Sequence, residues 1–272
     1  MSHSPEPTPP EYTPYVPPPS SAPARNIATL SWAAPWQWLA LGWQDLRAHA
    51  GIGLFYGAAF CAMAQVLGQV FQHQPEYTMT LASGCLLVGP FLALGLYDVS
   101  RRRENGQAAA LRWSLTCWRA HLRSMGMLVG VLIVLELLWG RASLVVIAVF
   151  FNTGMPSSAS VMQAVFNPDN LDFVLAYGVV GGAFAALAFA IAVVSIPMIL
   201  DRDTDAITAA IASIEVVLKN TGVMLLWGAL VTLLTAAALL LPWASGLLLI
   251  GPLLGHASWH AYRHAVRWPT SG

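Results

Sequence analysis

Three histidines, His256, His260 and His264, recur at spacing four near the end of the chain. That spacing puts them on one face of a helix, and two histidines at i and i+4 can chelate a metal ion. Their segment, GLLLIGPLLGHASWHAYRHAV over Gly246–Val266, carries a Gly251-Pro252 pair. Two earlier segments repeat its plan, SGCLLVGPFLALGLYDVSRRR around Pro90 and AFAIAVVSIPMILDRDTDAI around Pro197. Eight residues after each proline comes Asp98, Asp205 or His260, and Asp201 takes the place of His256. Eight residues is nearly a whole number of helical turns. If the three segments surround one axis, these residues form a carboxylate–imidazole cluster, with Asp201 and His256 the deeper members. Mixed ligands of this kind suit a transition metal, with His256 and His260 as its ligands. The simpler outcome is a salt-bridged cluster satisfied by Arg101, Arg202 and Arg263.

A second pair, Glu136 and Arg141, interrupts a long apolar run. An ionisable side chain at bilayer depth costs ~2.5–3.5 kcal/mol on insertion scales, so it faces a protein interior or a cavity. Five residues apart, the two point in different directions around a helix. They read as a polar pathway or a ligand counter-ion. Structurally, the alternative is an interhelical contact, with Arg141 reaching outward to the interface.

The elements that position these groups are membrane spans. Of 272 residues, 57% are hydrophobic and 10% charged, against about 25% charged in soluble domains. The fold class predicted is an all-α polytopic membrane protein of six transmembrane helices. The spans cover about 51–70, 78–99, 124–151, 173–200, 222–241 and 246–266. The third, at ~1.5 Å per residue, is longer than a ~30 Å hydrocarbon core requires. It must tilt, project or bend, with Gly140 the place for a bend. Three amphipathic segments precede the hairpins. The first presents Trp36, Leu39, Trp43 and Leu46, with Gln37, Gln44, Asp45 and Arg47 on other faces. The second is Gln107–Leu122 and the third Ala206–Lys219. The chain then reads as three repeats, about 36–104, 107–205 and 205–267, each an interfacial helix followed by a hairpin.

Residues 1–34 are rich in proline and polar groups, and are predicted to be a disordered cytoplasmic tail, ahead of a membrane domain over 35–268. Ser157 or Ser158 is placed to cap a short helix in the polar loop Asn152–Asp172. Every Lys and Arg except Arg141 falls on one side of the spans. By the positive-inside rule that side is cytoplasmic and holds both termini. Net charge is zero, so nothing suggests nucleic acid. Cys61, Cys85 and Cys117 make no metal spacing and read as small buried hydrophobes. No P-loop, GxSxG or HExxH motif occurs, which disfavours a soluble-type enzyme.

The pieces WLALGWQDL, LFYGAAF, GPFLALGLYDVSRRRE, LLWGRAS, SIPMILDRDTD and GPLLGHASWHAYR resemble a family of bacterial integral membrane proteins of unknown function. Some members carry the label of putative cytochrome c oxidase subunit. The resemblance covers about 36–267 and implies an inner-membrane protein, with no established catalytic residues. No cofactor is expected from the residues, copper or haem being the alternatives. Three functions are open. The first is a non-enzymatic protein that binds or moves a small solute, or scaffolds a membrane-protein partner. The second is a respiratory accessory or assembly factor handling copper or haem. The third is a lipid-acting enzyme using Asp201, Asp205 and His260 as acid–base groups.

Overall fold

The computed structural model describes residues 25–73, 78–150 and 170–268, without the side chains of 78–88 and of Pro90. Residues 1–24 of the proline-rich tail, Ser157, Ser158 and the Cys85 side chain therefore lie outside the described residues.

Long apolar sequence becomes long helix because a bilayer leaves no other way to satisfy the backbone. Helix α1 (Ala34–Ala48) leads into α2 (Ala50–His73) and α3 (Thr78–Glu104). A short helix α4 (Leu111–Ser114) and a 3-10 turn (Cys117–His121) precede α5 (Leu122–Phe150). Helices α6 (Leu171–Ala192), α7 (Ser195–Arg202), α8 (Ala206–Lys219) and α9 (Thr221–Leu240) follow. A 3-10 turn at Pro242–Ala244 then leads to α10 (Leu247–Ala265). Among the described residues four stretches are long and apolar enough to cross a membrane: Ala50–His73, Leu111–Phe150, Leu171–Arg202 and Thr221–Leu240. Large apolar side chains stay exposed along them, among them Val145, Val179, Leu225 and Leu240. These surfaces face lipid, where exposure carries no hydrophobic penalty.

Local chemistry explains the breaks. Pro197 has no N–H, and its ring clashes with the carbonyl four residues earlier. The helix accordingly stops at Ala192 and restarts at Ser195. The amide of Val194, released by the break, donates to Ser213 Oγ of α8 at 3.1 Å. Pro252 sits inside α10 without ending it. The carbonyl of Leu248, four residues earlier, thereby loses its helical donor. That carbonyl faces Gly57 of α2, where a Cβ would lie 2.3 Å from the oxygen.

The structure refines the sequence reading at four points. The inward face of α1 is Trp38, Gly42, Asp45 and Leu46, while Trp36 and Trp43 are exposed. Tryptophan prefers the membrane interface, so those two face outward, and Gly42 lets α1 approach α10 until a Cβ would sit 2.7 Å from Ala257 N. The segment Gln107–Leu122 is helical only from Leu111, where a short α-helical turn and a 3-10 turn run on into α5. Helix α5 runs unbroken through Gly140, whose carbonyl accepts from Ser143 Oγ at 2.8 Å.

The tail boundary moves as well. Asn26–Ile27 (β1) pairs antiparallel with Val266–Arg267 (β2). Leu30 N donates to Asn220 Oδ1 at 2.8 Å, and Asn220 Nδ2 donates to Ala28 O at 3.0 Å. The segment 25–33 is therefore part of the folded body. Deleting 1–24 is expected to leave the detergent melting temperature unchanged. Deleting 1–30 removes the β1 pairing and takes from Asn220 Oδ1 its donor, Leu30 N, at a cost of about 1–3 kcal/mol for an unsatisfied buried group. Equal melting temperatures for the two truncations would refute this.

Candidate functional site

Two places in the fold are candidates, a buried polar seam and an apolar cleft. The first lies where the ends of α1, α3 and α10 meet. Asp45 is 2% exposed. Its Oδ2 accepts from Ser100 Oγ at 2.5 Å and meets His260 Nε2 at 2.8 Å, while Oδ1 pairs with Arg103. Ser100 Oγ also lies 2.8 Å from His256 Nδ1. A hydroxyl has one proton, and the short contact gives it to Asp45. His256 must then donate from Nδ1, leaving a lone pair on Nε2. Burial alone would raise the Asp45 pKa, but hydrogen bonds and charge from His260, Ser100 and Arg103 outweigh it and hold the carboxyl at about 2.

Asp98, fully buried, pairs with Arg101 at 2.6 Å and Arg102 at 2.7 Å. Arg101 also donates to Leu200 O at 2.7 Å, tying α3 to α7. Asp201 accepts from Tyr262 OH at 2.7 Å and lies near Arg202 and Arg263, at 3.3 and 3.6 Å. Arg263 and Trp259 of α10 both reach Glu104. His264 Nδ1 accepts from Trp38 Nε1 at 2.9 Å.

Asp205 is separate from these contacts. Helix α7 ends at Arg202, with Asp203 left-handed at φ 49°. The eight-residue offset from Pro197 therefore leaves the helix before it reaches Asp205. Its side chain instead caps α8 through Thr208 N at 2.9 Å, a bond that lowers its pKa.

The histidine stripe is thus engaged by Ser100, Asp45 and Trp38. Among the described residues no group of three or more His, Cys, Asp or Glu could hold a metal ion. Two imidazole nitrogens, His256 Nε2 and His49 Nδ1, are buried with no hydrogen-bond partner among those residues.

The second place is a cleft of about 660 Å³ between α3, α5 and α6. Leu132, Leu135, Glu136 and Trp139 line it from α5, at spacings of three, one and three that form a single stripe. Opposite stand Gly181, Ala185, Ala188 and Ala192 of α6. Small residues at this spacing ordinarily let helices close together. Here Trp139 stands at the contact, its Nε1 3.4 Å from where a Cβ of Gly181 would be. Trp139 also packs edge-on to Tyr177, with centroids 6.3 Å apart. Glu136 faces this hollow midway along α5, while Arg141 is exposed on the same helix.

Sequence reasoning missed Asp45, Ser100, Arg103 and Glu104 as members of the first cluster. The 38–42–45 spacing, which places Trp38, Gly42 and Asp45 on one face, was the available signal.

No curated protein and no solved structure matches the chain. Residues 77–201 match the family model described as a predicted integral membrane protein (DUF2189), and the chain is an integral membrane protein similar to that family.

Proposed function

We propose that this protein is a non-enzymatic membrane protein that binds a small apolar solute in the cleft between α3, α5 and α6. The observation that carries the reading is the cleft itself: about 660 Å³ of space at mid-helix, lined almost wholly by apolar side chains. Ligand sites of 300–1,000 Å³ with few polar groups are the usual form of small-molecule pockets. A hydrophobic fluorophore, N-phenyl-1-naphthylamine, should bind saturably to the protein in lipid nanodiscs above the empty-nanodisc background. The cleft-filling variant Ala185→Leu/Ala188→Leu should lose that binding while keeping its melting temperature. Saturable binding that survives in the filled variant would refute the assignment.

The wider arrangement belongs to the same proposal. Helices α3 and α10 join the four apolar stretches as spans, giving six in three hairpin units in a bacterial inner membrane. Cations cluster at the end where Arg103, Arg202 and Arg263 lie, which supports a cytoplasmic location for that end and both termini. Reporter fusions at Asn105 should read cytoplasmic, and fusions at Ser245 or within 151–169 periplasmic. A cytoplasmic signal at Ser245 would overturn the topology.

One observation favours a second reading, an accessory factor handling copper. The bare nitrogens of His256 and His49 lie where α1 meets α10. A ligating histidine typically gives its other N–H to an oxygen, as His256 does to Ser100. Metal analysis of wild type against His256→Ala separates the readings: stoichiometric copper lost in the variant would establish the second.

A further inference from the structure

We infer that the occupant of the α3–α5–α6 cleft is a hydrophobic cation, with Glu136 as its counter-ion and Trp139 as its aromatic wall. The inference rests on the solute-binding reading above. Its first support is charge. Among the described residues lining the cleft Glu136 is the only charged one, and the others are apolar, aromatic or glycine. In a low-dielectric cavity a carboxylate attracts a cation and repels an anion far more strongly than in water. The basic residue of the same helix, Arg141, is exposed and does not line the cleft.

The second support is the character of the walls. Trp139 lies one turn beyond Glu136 on the same face, and Phe184 and Phe189 line the wall from α6. Aromatic faces carry negative potential, and tryptophan binds a cation best of all side chains. A small hydrated ion would gain little from such walls. A cation with its charge spread under apolar groups would gain from both the carboxylate and the rings. The volume suits an organic molecule of several rings rather than a metal ion.

Two ions of nearly the same shape and opposite charge test this. Tetraphenylphosphonium and tetraphenylborate would be titrated into nanodiscs holding the wild type or Glu136→Gln, with N-phenyl-1-naphthylamine as the neutral probe. Subtracting empty nanodiscs removes partition into lipid. Glu136→Gln is expected to weaken tetraphenylphosphonium about tenfold, a loss of ~1.4 kcal/mol. It should leave the neutral probe unchanged and leave tetraphenylborate unchanged or tighter. A second variant, Trp139→Leu, should weaken the cation more than the neutral probe. If the neutral probe binds but tetraphenylphosphonium affinity is the same in wild type and Glu136→Gln, the cation inference falls and the solute-binding reading stands. Failure of all three probes to bind the wild type would sink both.

Discussion

Replacing Asp45 with alanine is expected to lower stability by about 3–5 kcal/mol, the range found when one partner of a buried ion pair is removed. The loss is large because three groups depend on this carboxylate. Arg103 would lose its anion, and Ser100 and His260 would lose their acceptor in a closed interface. Asp45→Asn keeps the shape and an acceptor but not the charge, so it should fall between wild type and alanine. The pH dependence gives an independent check. The Asp45 pKa is lowered from 3.8 to about 2 in the folded protein. A depressed carboxyl stabilises the fold above its unfolded pKa and loses that contribution as pH falls through the folded value. The difference in melting temperature between wild type and Asp45→Asn should therefore be fully present above 3.8 and shrink as pH falls towards about 2. Thermal melts in detergent across that range measure it. A difference independent of pH would show that Asp45 acts through packing alone.

The second large effect concerns Gly57. A Cβ there would lie 2.3 Å from the Leu248 carbonyl oxygen and 2.8 Å from its carbon. Both are backbone atoms, which cannot swing aside as a side chain would. Gly57→Val must push α2 from α10, and we expect a loss of ~3 kcal/mol, at the upper end of overpacking costs. Gly68, on the same helix, has nothing within 4 Å of its Cβ position. Gly68→Ala should be neutral or stabilising by up to ~1 kcal/mol from helix propensity. Melting temperatures of the two variants decide the matter. Equal behaviour would mean that the α2–α10 approach is loose.

The positions of the apolar helices were legible in the sequence because a bilayer demands long uninterrupted runs. Runs near 51–70, 173–200 and 222–241 correspond to Ala50–His73, Leu171–Arg202 and Thr221–Leu240. The break after Ala192 was not anticipated by the continuous span 173–200, although Pro197 carries the backbone reason for it. The interior faces were not legible. In water, hydrophobicity marks the core, whereas in lipid the most hydrophobic side chains point outward. Here Leu240 is 86% exposed, while Asp45 and Ser100 are buried. The exposed tryptophans of α1 were legible as interface residues, but its buried face, with Trp38, Gly42 and Asp45, was not. The inversion also hid Ser100 and Arg103, which resembled ordinary helix-end residues beside the histidines. Glu136 was visible because a carboxyl in an apolar run is rare, but its hollow depends on glycine and alanine spacing across another helix.

The pairing of Asn26–Ile27 with Val266–Arg267, and the packing of α1 against α10, bear on how the protein is made. A ribosome delivers α1 well before α10. Asp45, Ser100 and Arg103 are therefore translated long before His256 and His260 emerge to complete their contacts. Until then the nascent intermediate displays an unfinished charged seam, a ready mark for membrane quality control. The same adjacency makes the fold suited to circular permutation: a short linker joining the two strands, with new ends opened at Ser245, preserves every contact of the seam. Such a permutant would synthesise α10 ahead of α1, so that α10 becomes the template onto which α1 and α3 assemble.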